Sequence, residues 1–515
     1  MFDSRQTLLI ECPNGLAGSY TLPGSVTSIE DGAFEGCAGL TNIIMTNGLT
    51  SIGSSAFDGC TGLTNVTIPA SVANIGTAPF TFCTNLTSIM VSAGNSLYSS
   101  VNGPLFDQNQ STLLQYPGGL GGSYTIAGSV TNIGPSAFSG CARLVSVTIP
   151  GSVTNIGSAA FENCANLTSV VIAPGVTSIG ADAFYSCTSL ASIIIPNSVT
   201  SMGYSAFLNC VSLTNVSVAD SLSSIGVSAF WGCSALPSIA IPASVTNIED
   251  SAFSGCSGLT NAIIANGVTS IGSGAFWGCS SLLSVAIPNT VTNIGVTAFL
   301  NCTTLGSITI PGNVANLADN VFDGCSGLTN VTMANGVTSI GQSAFNDCTK
   351  LANVALPSSL TSIGYGAFTE CTSLTNITIP GSVTNIAETA FFVASSLSNI
   401  FFQGNAPVVG SAAFTGDTAT VYYLPGTSGW SNPFAGCSAV LWNPTIQTSG
   451  SNFGYHNNQF VFTITGTAGI PIVVEACANL ASPAWLPLRS LTLTNGSFSF
   501  SDPPQATRFY RIRSP

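Results

Sequence analysis

The sequence predicts a repeat solenoid with 23-residue units, followed by a small antiparallel β domain. Three observations support this: a phenylalanine that recurs every 23 residues, a strand pattern that recurs with it, and alternating apolar and polar residues near the end of the chain. The phenylalanines in register are Phe34, Phe57, Phe80, Phe138, Phe161, Phe184, Phe207, Phe230, Phe253, Phe276, Phe299, Phe322, Phe345, Phe368, Phe391 and Phe414. A strict period of about 20 to 29 residues is typical of leucine-rich repeats.

Residues 56–78, "AFDGCTGLTNVTIPASVANIGTA", illustrate one unit, which we call a rung. Leu63, Val66 and Ile68 fit a Leu-x-x-Val-x-Ile strand, with alternation that directs Val66 and Ile68 inward. Pro69 then ends the strand, because it has no N–H for a continuing ladder. A second short extended segment follows and closes at Gly76.

The "xxAFxxC" segment of each rung predicts a single helical or 3₁₀ turn that directs three side chains into the core. In the rung above these are Ala56, Phe57 and Cys60. One rung cannot bury its apolar residues alone, so neighbouring rungs must stack to close a continuous core.

Composition excludes several function classes. Only 5% of the 515 residues are charged, and no apolar run is long enough for a membrane-spanning helix. Residues 1–444 contain 18 acidic and three basic side chains, whereas residues 445–515 contain two acidic and four basic ones. A repeat body with so few cations lacks the phosphate contacts on which nucleic-acid affinity depends, so a nucleic-acid partner is excluded.

The first residues repeat a later part of the chain. Phe2 to Phe34 aligns without gaps on Phe106 to Phe138, with 18 of 33 positions identical. Because the chain begins inside a unit and shows no secretion signal, we expect a missing upstream segment that carries the signal and an N-terminal cap. The alternative is a true start in which the partial unit is the cap.

Two outward columns of polar residues follow the rungs. One contains only Asn and Ser, and another is mostly Thr. Members of the first are Asn42, Asn65, Ser88, Ser146, Ser169, Ser192, Asn215, Ser238, Asn261, Ser284, Ser307, Asn330, Asn353, Asn376 and Asn399, and members of the second include Thr27, Thr50, Thr131, Thr154, Thr177 and Thr200. The columns predict hydrogen bonds between rungs; the alternative is a neutral surface that binds a glycan or protein.

Fourteen of the 17 cysteines lie three residues after a repeat phenylalanine. This even spacing matches neither a zinc site nor a disulfide framework, and it predicts buried thiols that pack as small apolar side chains. Later rungs have Ala394 and Asp417 at the same position. Cys12, Cys437 and Cys477 lie outside this column.

Catalytic residues are scarce. The chain contains one histidine, His456, and one lysine, Lys350, so His-based nucleophile or metal constellations are not available. The acidic pairs 30–31 and 249–250 could serve a hydrolase or a cation site, but they are better explained as N-terminal caps of helical turns. We therefore predict no enzymatic activity and no cofactor.

A binding surface is predicted at the residue that follows the repeat phenylalanine. This position is polar or acidic in most rungs and becomes apolar in the middle of the chain, with Ser254 as an interruption. The candidate residues are Tyr185, Leu208, Trp231, Trp277 and Leu300. An exposed stripe would mark an interaction site, whereas side chains that tuck against the next rung would be ordinary packing.

The unit "LVSVTIPGSVTNIGSAAFENC" at 144–164 resembles the BspA-type leucine-rich repeat of bacterial surface proteins, and so does the longer variant unit at about 92–127. The resemblance covers roughly residues 2–440. It implies secretion or surface display and adhesion to matrix proteins, host cells or neighbouring bacteria. It transfers no catalytic residue, and adhesion belongs only to certain members of the family.

The domain prediction has four parts. They are a repeat array at 1–390, with a partial unit at 1–33, then C-terminal repeats and a cap at 391–444, a linker at 445–458, and a β-sandwich-like module at 459–515. The module contains "RFYRIR". These arginines are interpreted either as an exposed strand face or as an anchor that binds an acidic envelope polymer.

Three functions remain open from the sequence. The first is a non-enzymatic, secreted or cell-surface protein that binds a protein or glycan on a cell or matrix surface. The second is a structural spacer or envelope component without a ligand of its own. The third is a polysaccharide-active enzyme on a solenoid, which the scarcity of His, Lys and clustered carboxylates disfavours.

Overall fold

The computed structural model describes residues 1–416, 418–503 and 508–514. The chain divides into two compact units, unit 1 at Met1–Leu305 and unit 2 at Gly306–Pro515. The described residues of both units form strands and turns, without a helix. Asp417, predicted to replace a cysteine, lies outside the described residues.

The strands of unit 1 are mostly two to six residues long. They are β1 (Leu8–Leu9), β2 (Gly18–Thr21), β3 (Ser28–Ile29), β4 (Leu40–Ile44), β5 (Ser51–Ile52), β6 (Asn65–Ile68), β7 (Asn74–Ile75), β8 (Ser88–Val91), β9 (Tyr98–Ser100), β10 (Leu105–Asp107), β11 (Thr112–Gln115), β12 (Gly122–Thr125), β13 (Asn132–Ile133), β14 (Leu144–Ile149), β15 (Asn155–Ile156), β16 (Ser169–Ile172), β17 (Ser178–Ile179), β18 (Ser192–Ile194), β19 (Ser201–Met202), β20 (Asn215–Ser217), β21 (Ser224–Ile225), β22 (Ser238–Ile241), β23 (Asn247–Ile248), β24 (Asn261–Ile264), β25 (Ser270–Ile271), β26 (Ser284–Ala286) and β27 (Asn293–Ile294).

The strands of unit 2 continue the same alternation and then lengthen. They are β28 (Ser307–Ile310), β29 (Asn316–Leu317), β30 (Asn330–Met333), β31 (Ser339–Ile340), β32 (Asn353–Ala355), β33 (Ser362–Ile363), β34 (Asn376–Ile379), β35 (Asn385–Ile386), β36 (Asn399–Phe402), β37 (Val408–Val409), β38 (Thr420–Tyr423), β39 (Ser438–Leu441), β40 (Thr445–Gln447), β41 (Gly454–His456), β42 (Gln459–Thr465), β43 (Pro471–Cys477), β44 (Leu486–Thr492), β45 (Ser497–Asp502) and β46 (Phe509–Arg513).

Unit 1 is built mainly from two parallel ladders, which confirms the predicted repeat solenoid. The longer strands form the sheets β2-β4-β6-β8, β12-β14-β16-β18-β20 and β22-β24-β26. The two-residue strands form a second series, such as β21-β23-β25-β27. Ser146 pairs with Ser169 and Val147 with Val170, so each residue lies beside its equivalent in the next unit. Two short extended segments per rung, as predicted, therefore build the body.

The phenylalanine column forms the centre of the core. In unit 1 these rings are at most 1% exposed, and in unit 2 Phe414, at 4%, is the most exposed. Neighbouring rings stack nearly parallel, with centroids 4.6 Å apart for Phe138 and Phe161 and 5.5 Å apart for Phe230 and Phe253. Each ring thus buries its faces against the rungs on both sides, which explains why one residue type recurs at this position.

The predicted helical or 3₁₀ turn is wrong. The residues two before and two after each repeat phenylalanine have positive φ, as at Ser55 (50°) and Gly59 (69°). These left-handed residues interrupt right-handed helical geometry. The N–H groups of Phe57 and Gly59 donate to Pro79 and Thr81 in the next rung. The segment is therefore a series of turns whose backbone is hydrogen-bonded between rungs.

The cysteine column is buried, as predicted, and it also forms hydrogen bonds. The Cys60 thiol donates to the carbonyl oxygen of Phe34 in the preceding rung at 3.1 Å, and Cys256 donates to Phe230 in the same way. Desolvation raises the pKa of the Cys60 thiol to about 12. The Cys60 thiol is therefore a protonated donor rather than a reactive nucleophile.

The longer unit at 92–127 contains an antiparallel hairpin, β9 and β10, before the parallel order resumes at β11. Tyr116 takes the place of phenylalanine in this rung and stacks on Phe138 at 4.8 Å. Cys12 occupies the equivalent place in the first unit. Its N–H donates to Ala33 at 2.7 Å, as the N–H of Tyr116 donates to Ala137 at 2.6 Å.

Unit 2 contains the repeat sheets β28-β30-β32, β29-β31-β33-β35-β37 and β34-β36-β38-β39, followed by two antiparallel sheets. One of these contains β40, β41, β42 and β45, and the other is ordered β44-β43-β46. Both sheets contribute to one apolar cluster, which also includes Phe401 and Tyr422 of the repeat strands. The C-terminal sheets therefore pack directly on the last rungs.

The prediction of a linker at 445–458 is corrected by this arrangement. The strands β40 and β41 lie inside that range and pair with β42. Just before it, the Trp442 indole donates to the carbonyl oxygen of Pro471 at 2.9 Å, and Asn443 accepts two hydrogen bonds from Thr467. The Ser, Gly and Asn content of the segment reflects turns between strands. The other domain boundaries and the cap stay predictions.

Candidate functional site

The five candidate residues differ in exposure. Trp231 is 47% exposed and Trp277 46% exposed, whereas Leu208 is only 9% exposed. Tyr185 and Leu300 are half-buried. The structure therefore leaves two indoles on the surface of unit 1, and we call Trp231 and Trp277 the tryptophan ridge.

The turns of the rungs hold the tryptophan ridge in place. The N–H of Trp231 donates to Ser228 at 3.1 Å, and its carbonyl oxygen accepts the N–H of Asn209 at 2.7 Å. The indole lies over Gly255 in the next rung, where an added Cβ would be 3.4 Å from Cδ1 of Trp231. Glycine thus provides the space for the ring, and the buried Ser254 lies beside it.

The two tryptophans are two rungs apart. The rings of Phe230, Phe253 and Phe276, which precede Trp231, Ser254 and Trp277, are separated by 5.5 Å and 5.4 Å. The ridge consequently presents two aromatic side chains with a small buried residue between them, a pattern that one elongated ligand could span.

Further exposed apolar residues lie on the same turns, and the sequence analysis missed them. They lie three positions before the repeat phenylalanine: Tyr204 is 59% exposed, Val227 44% and Val296 44%. In other rungs this column contains polar residues such as Ser158 and Asp250. The change from polar to apolar in this column was the signal that could have identified them.

Acidic residues lie on the same turns, in the rungs of Phe161 and Phe184. Burial first, and then the charge of Asp182, raise the pKa of Glu162, and Ser139 donates a hydrogen bond to it. Burial also raises the pKa of Asp182. Glu162 belongs to the rung before Tyr185. This end of the surface disfavours an anionic ligand and is compatible with a neutral or basic one.

The polar columns form hydrogen bonds between rungs, which was the first of the two interpretations of the sequence. The hydroxyl of Thr50 donates to the carbonyl oxygen of Thr27 at 2.9 Å, and Thr177 donates likewise to Thr154. In the Asn and Ser column, Ser146 donates to Ser123 at 2.7 Å. These bonds join consecutive rungs and leave fewer groups available to a ligand.

The acidic pairs also have structural roles. A carboxylate oxygen of Asp31 accepts the N–H of Ser54, and one of Asp250 accepts the N–H of Ser273 at 2.7 Å. Each carboxylate thus caps a turn of the next rung, not the helical turn that we predicted. In the described part of the chain, no group of three or more His, Cys, Asp or Glu could hold a metal ion.

A family model for the BspA-type leucine-rich repeat region (six copies) matches residues 16–117, 122–236, 203–329 and 317–439. The chain belongs to the BspA-type leucine-rich repeat family. This match confirms the resemblance on which the sequence analysis relied. A search of curated proteins found no significant match.

Solved structures of bacterial leucine-rich repeat proteins are similar to this BspA-type chain. A Bacteroides ovatus leucine-rich repeat protein is 30% identical with a TM-score of 0.50, over 64% of this chain and 93% of that one. A leucine-rich cell surface protein of Faecalibacterium prausnitzii is 27% identical with a TM-score of 0.40, over 64% and 94%. The Treponema pallidum leucine-rich repeat protein is 26% identical with a TM-score of 0.28, over 40% and 78%.

The arginines of the BspA-type chain's C-terminal sheets are occupied by internal contacts. Arg511 and Arg513 form ion pairs with Glu475, at 2.7 Å and 2.6 Å, and Arg508 pairs with Asp502. The Arg489 guanidinium lies 4.8 Å from the centre of a phenylalanine ring. An acidic envelope polymer would therefore compete with these contacts, so the anchor hypothesis gains no support from the arginines. Among the described residues, no helix has the length and apolar character to cross a membrane.

A half-buried carboxyl in unit 1, that of Asp58, gives a pH-dependent prediction. Burial first, and then the charges of Glu35 and Glu162, raise the pKa of Asp58 to about 6. Because the folded pKa exceeds the unfolded one, ionisation destabilises the fold, and this penalty appears as pH rises through about 6. We expect Asp58→Asn to raise the free energy of unfolding by about 1 kcal/mol at neutral pH, after allowance for partial exposure.

Denaturant unfolding of the wild type and of Asp58→Asn across the acid-to-neutral range measures this difference. It should vanish below the unfolded pKa of 3.8. A variant that is less stable than the wild type at neutral pH would contradict the prediction.

Proposed function

We propose that this protein is a non-enzymatic, secreted or cell-surface protein that binds a protein or glycan through the tryptophan ridge. The observation that carries the proposal is the exposure of Trp231 and Trp277, at 47% and 46%. The other three tryptophans, Trp430, Trp442 and Trp485, are half-buried, and the phenylalanine column is almost fully buried.

An exposed indole leaves a large apolar face in contact with water, and burial of that face makes it an effective binding group. Tryptophan is enriched among the residues that contribute most to binding, because its large rigid face buries much apolar area with few rotatable bonds. The same face stacks on the C–H surface of a sugar ring. Tyr204 and Val227 extend the exposed apolar surface around the ridge.

Two further observations support the rest of the proposal. The scarcity of His and Lys, and the use of Asp31 and Asp250 as turn caps, leave no evident catalytic apparatus among the described residues. Secretion or surface display is what membership of the BspA-type family implies. The ridge carries no charged side chain, and the net charge of −13 favours a neutral or basic partner.

A structural spacer is the second candidate function. Burial of Leu208, half-burial of Tyr185 and Leu300, and the hydrogen bonds between rungs favour it at those positions. In this case the ridge would be a surface feature without a ligand. The two candidates therefore differ in what they predict for Trp231 and Trp277.

A binding screen of the full chain against matrix proteins, bacterial surface glycans and whole cells tests the proposal. The double variant Trp231→Ser/Trp277→Ser is screened in parallel. We expect specific binding by the wild type and a loss of at least about tenfold in affinity in the variant, because each indole contributes a large share of the buried area.

Tyr365→Ser/Tyr455→Ser is the matched control, since both tyrosines are exposed and lie in unit 2, outside the ridge. It should weaken binding less than the tryptophan variant does. Equal binding by the wild type and the tryptophan variant would remove the ridge from the proposal. Absence of any binding would favour the spacer.

A further inference from the structure

The long ladder of unit 2 is interrupted between β32 and β34. The sheets β28-β30-β32 and β34-β36-β38-β39 are separate, and no backbone hydrogen bond joins the described residues of β32 to those of β34. Val354 and Leu356 are partly exposed here. Their equivalents in the adjoining rungs, Val331 and Ile377 for Val354 and Met333 and Ile379 for Leu356, are at most 4% exposed. The interruption therefore opens the strand face.

A groove of about 410 Å³ lies at this interruption, within the size range of ligand sites. Its polar lining consists of side-chain amides and hydroxyls, and all of its lining residues are uncharged. The amides belong to Asn330, Asn353, Asn376 and Gln403. We call this the amide groove.

Most of these amides are available to a ligand. Asn376 accepts a hydrogen bond from Asn399 at 2.6 Å and donates to Thr375. In contrast, the side chains of Asn330, Asn353 and Gln403 form no hydrogen bond with any described residue. Each amide offers both donors and an acceptor. Adjacent apolar surface comes from Val354 and Ile377.

A second cavity of about 220 Å³ adjoins the amide groove, since Gln403 lines both. Its walls are aromatic, with Phe402, Tyr422 and Trp442 among the lining residues. Arg513 also lines it and pairs with Glu475, a carboxylate that it shares with Arg511. Gln403 thus links the neutral amides to a cavity whose lining includes aromatic side chains.

We propose that the amide groove and the adjoining aromatic cavity bind a neutral oligosaccharide. Sugar hydroxyls donate and accept, which matches the amides of Asn353 and Gln403, and the C–H faces of sugar rings match the aromatic walls. The uncharged lining of the amide groove gives no counter-ion for a uronic acid or sulfate. This site lies in unit 2 and does not depend on the tryptophan ridge of unit 1.

The test uses calorimetry of the full chain with cellohexaose, maltohexaose and chitohexaose, and with a hyaluronan oligosaccharide as an anionic probe. We expect at least one neutral hexasaccharide to bind and the anionic probe to bind at least about tenfold more weakly. Asn353→Ala/Gln403→Ala should weaken binding of the neutral sugar by about tenfold or more, because two ligand-facing amides are lost.

Asn215→Ala/Asn261→Ala is the matched control, because it removes two amides of the same column outside the groove. It should leave affinity within about twofold of the wild type. Unchanged affinity in Asn353→Ala/Gln403→Ala, preference for the anionic probe, or no binding of any neutral hexasaccharide would overturn the proposal.

The tryptophan variant separates this proposal from the proposed function. Trp231→Ser/Trp277→Ser should retain the hexasaccharide. If it loses the sugar while Asn353→Ala/Gln403→Ala retains it, the oligosaccharide site belongs to the ridge and the amide groove is refuted. If only Asn353→Ala/Gln403→Ala loses the sugar, the result supports the amide groove, whether or not the ridge binds a partner.

Discussion

Replacement of Phe253 by alanine is expected to destabilise unit 1 by about 3 to 5 kcal/mol. Phe253 is fully buried, and its ring stacks between Phe230 at 5.5 Å and Phe276 at 5.4 Å. The substitution removes apolar burial and leaves a cavity at the centre of the column. It also removes two ring contacts, each of which is worth about 0.5 to 1.5 kcal/mol.

Stacked repeats give this substitution a local signature. Because each rung contacts only its neighbours, we expect hydrogen exchange to accelerate most in the rungs next to Phe253. Denaturant unfolding together with hydrogen exchange measures both effects. Phe453→Ala, at a site that is 36% exposed, is the control and should have little effect. A loss below about 1 kcal/mol in Phe253→Ala would contradict the proposed role of the column.

Replacement of Glu475 by glutamine is expected to destabilise the C-terminal sheets by about 2 to 4 kcal/mol. Glu475 is 4% exposed on β43 and forms ion pairs with Arg511 and Arg513. The variant leaves two guanidinium groups without their carboxylate. The expected loss is below that of a fully buried pair because the arginine side chains are 46% and 44% exposed.

The pH dependence of this effect follows from the pKa of Glu475. Burial alone would raise that pKa, but hydrogen bonds from Arg513 and Arg511, with their charges, outweigh burial and lower it. A lowered carboxyl pKa stabilises the fold above the unfolded pKa, and this stabilisation is lost as pH falls through the folded pKa. The wild type and Glu475→Gln should therefore converge in acid.

Denaturant unfolding monitored by tryptophan fluorescence checks this prediction at neutral and acidic pH. Glu388→Gln, at an exposed carboxylate, is the control. An equal difference between the wild type and Glu475→Gln at both pH values would refute the ion-pair explanation.

The period of the sequence was sufficient to predict the core. Phe57 and Cys60 recur in register, and buried positions must repeat when identical rungs stack, so their burial followed directly. The turn around Phe57 was mispredicted. Ser55 and Gly59 both have positive φ. Glycine is the residue type expected in that conformation, whereas serine gives no indication of it in the sequence.

Exposure in the candidate site could not be predicted in the same way. Leu208 and Trp231 follow equivalent phenylalanines, yet one is buried and the other exposed. The outcome depends on the neighbouring rung, because Trp231 lies over Gly255, which has no side chain to cover the indole. A pattern within one rung carries no information on such contacts.

Long-range packing was also beyond the sequence pattern. Phe401 and Tyr422 occupy strand positions that point outward in other rungs, and they are buried because the C-terminal sheets pack on them. The amide groove has a similar origin. Asn353 belongs to a uniform column of Asn and Ser, so the sequence does not show that a groove lies beside it.

Oxidative footprinting of the full chain, alone and bound to the ligand found in the screen, tests the tryptophan ridge most directly. Hydroxyl radicals label exposed aromatic side chains, so mass spectrometry reports which ones the ligand covers. We predict a several-fold fall in oxidation of Trp231 and Trp277 on binding, with Tyr365 unchanged. Undiminished oxidation of both tryptophans in a saturated complex would contradict a binding function for the ridge.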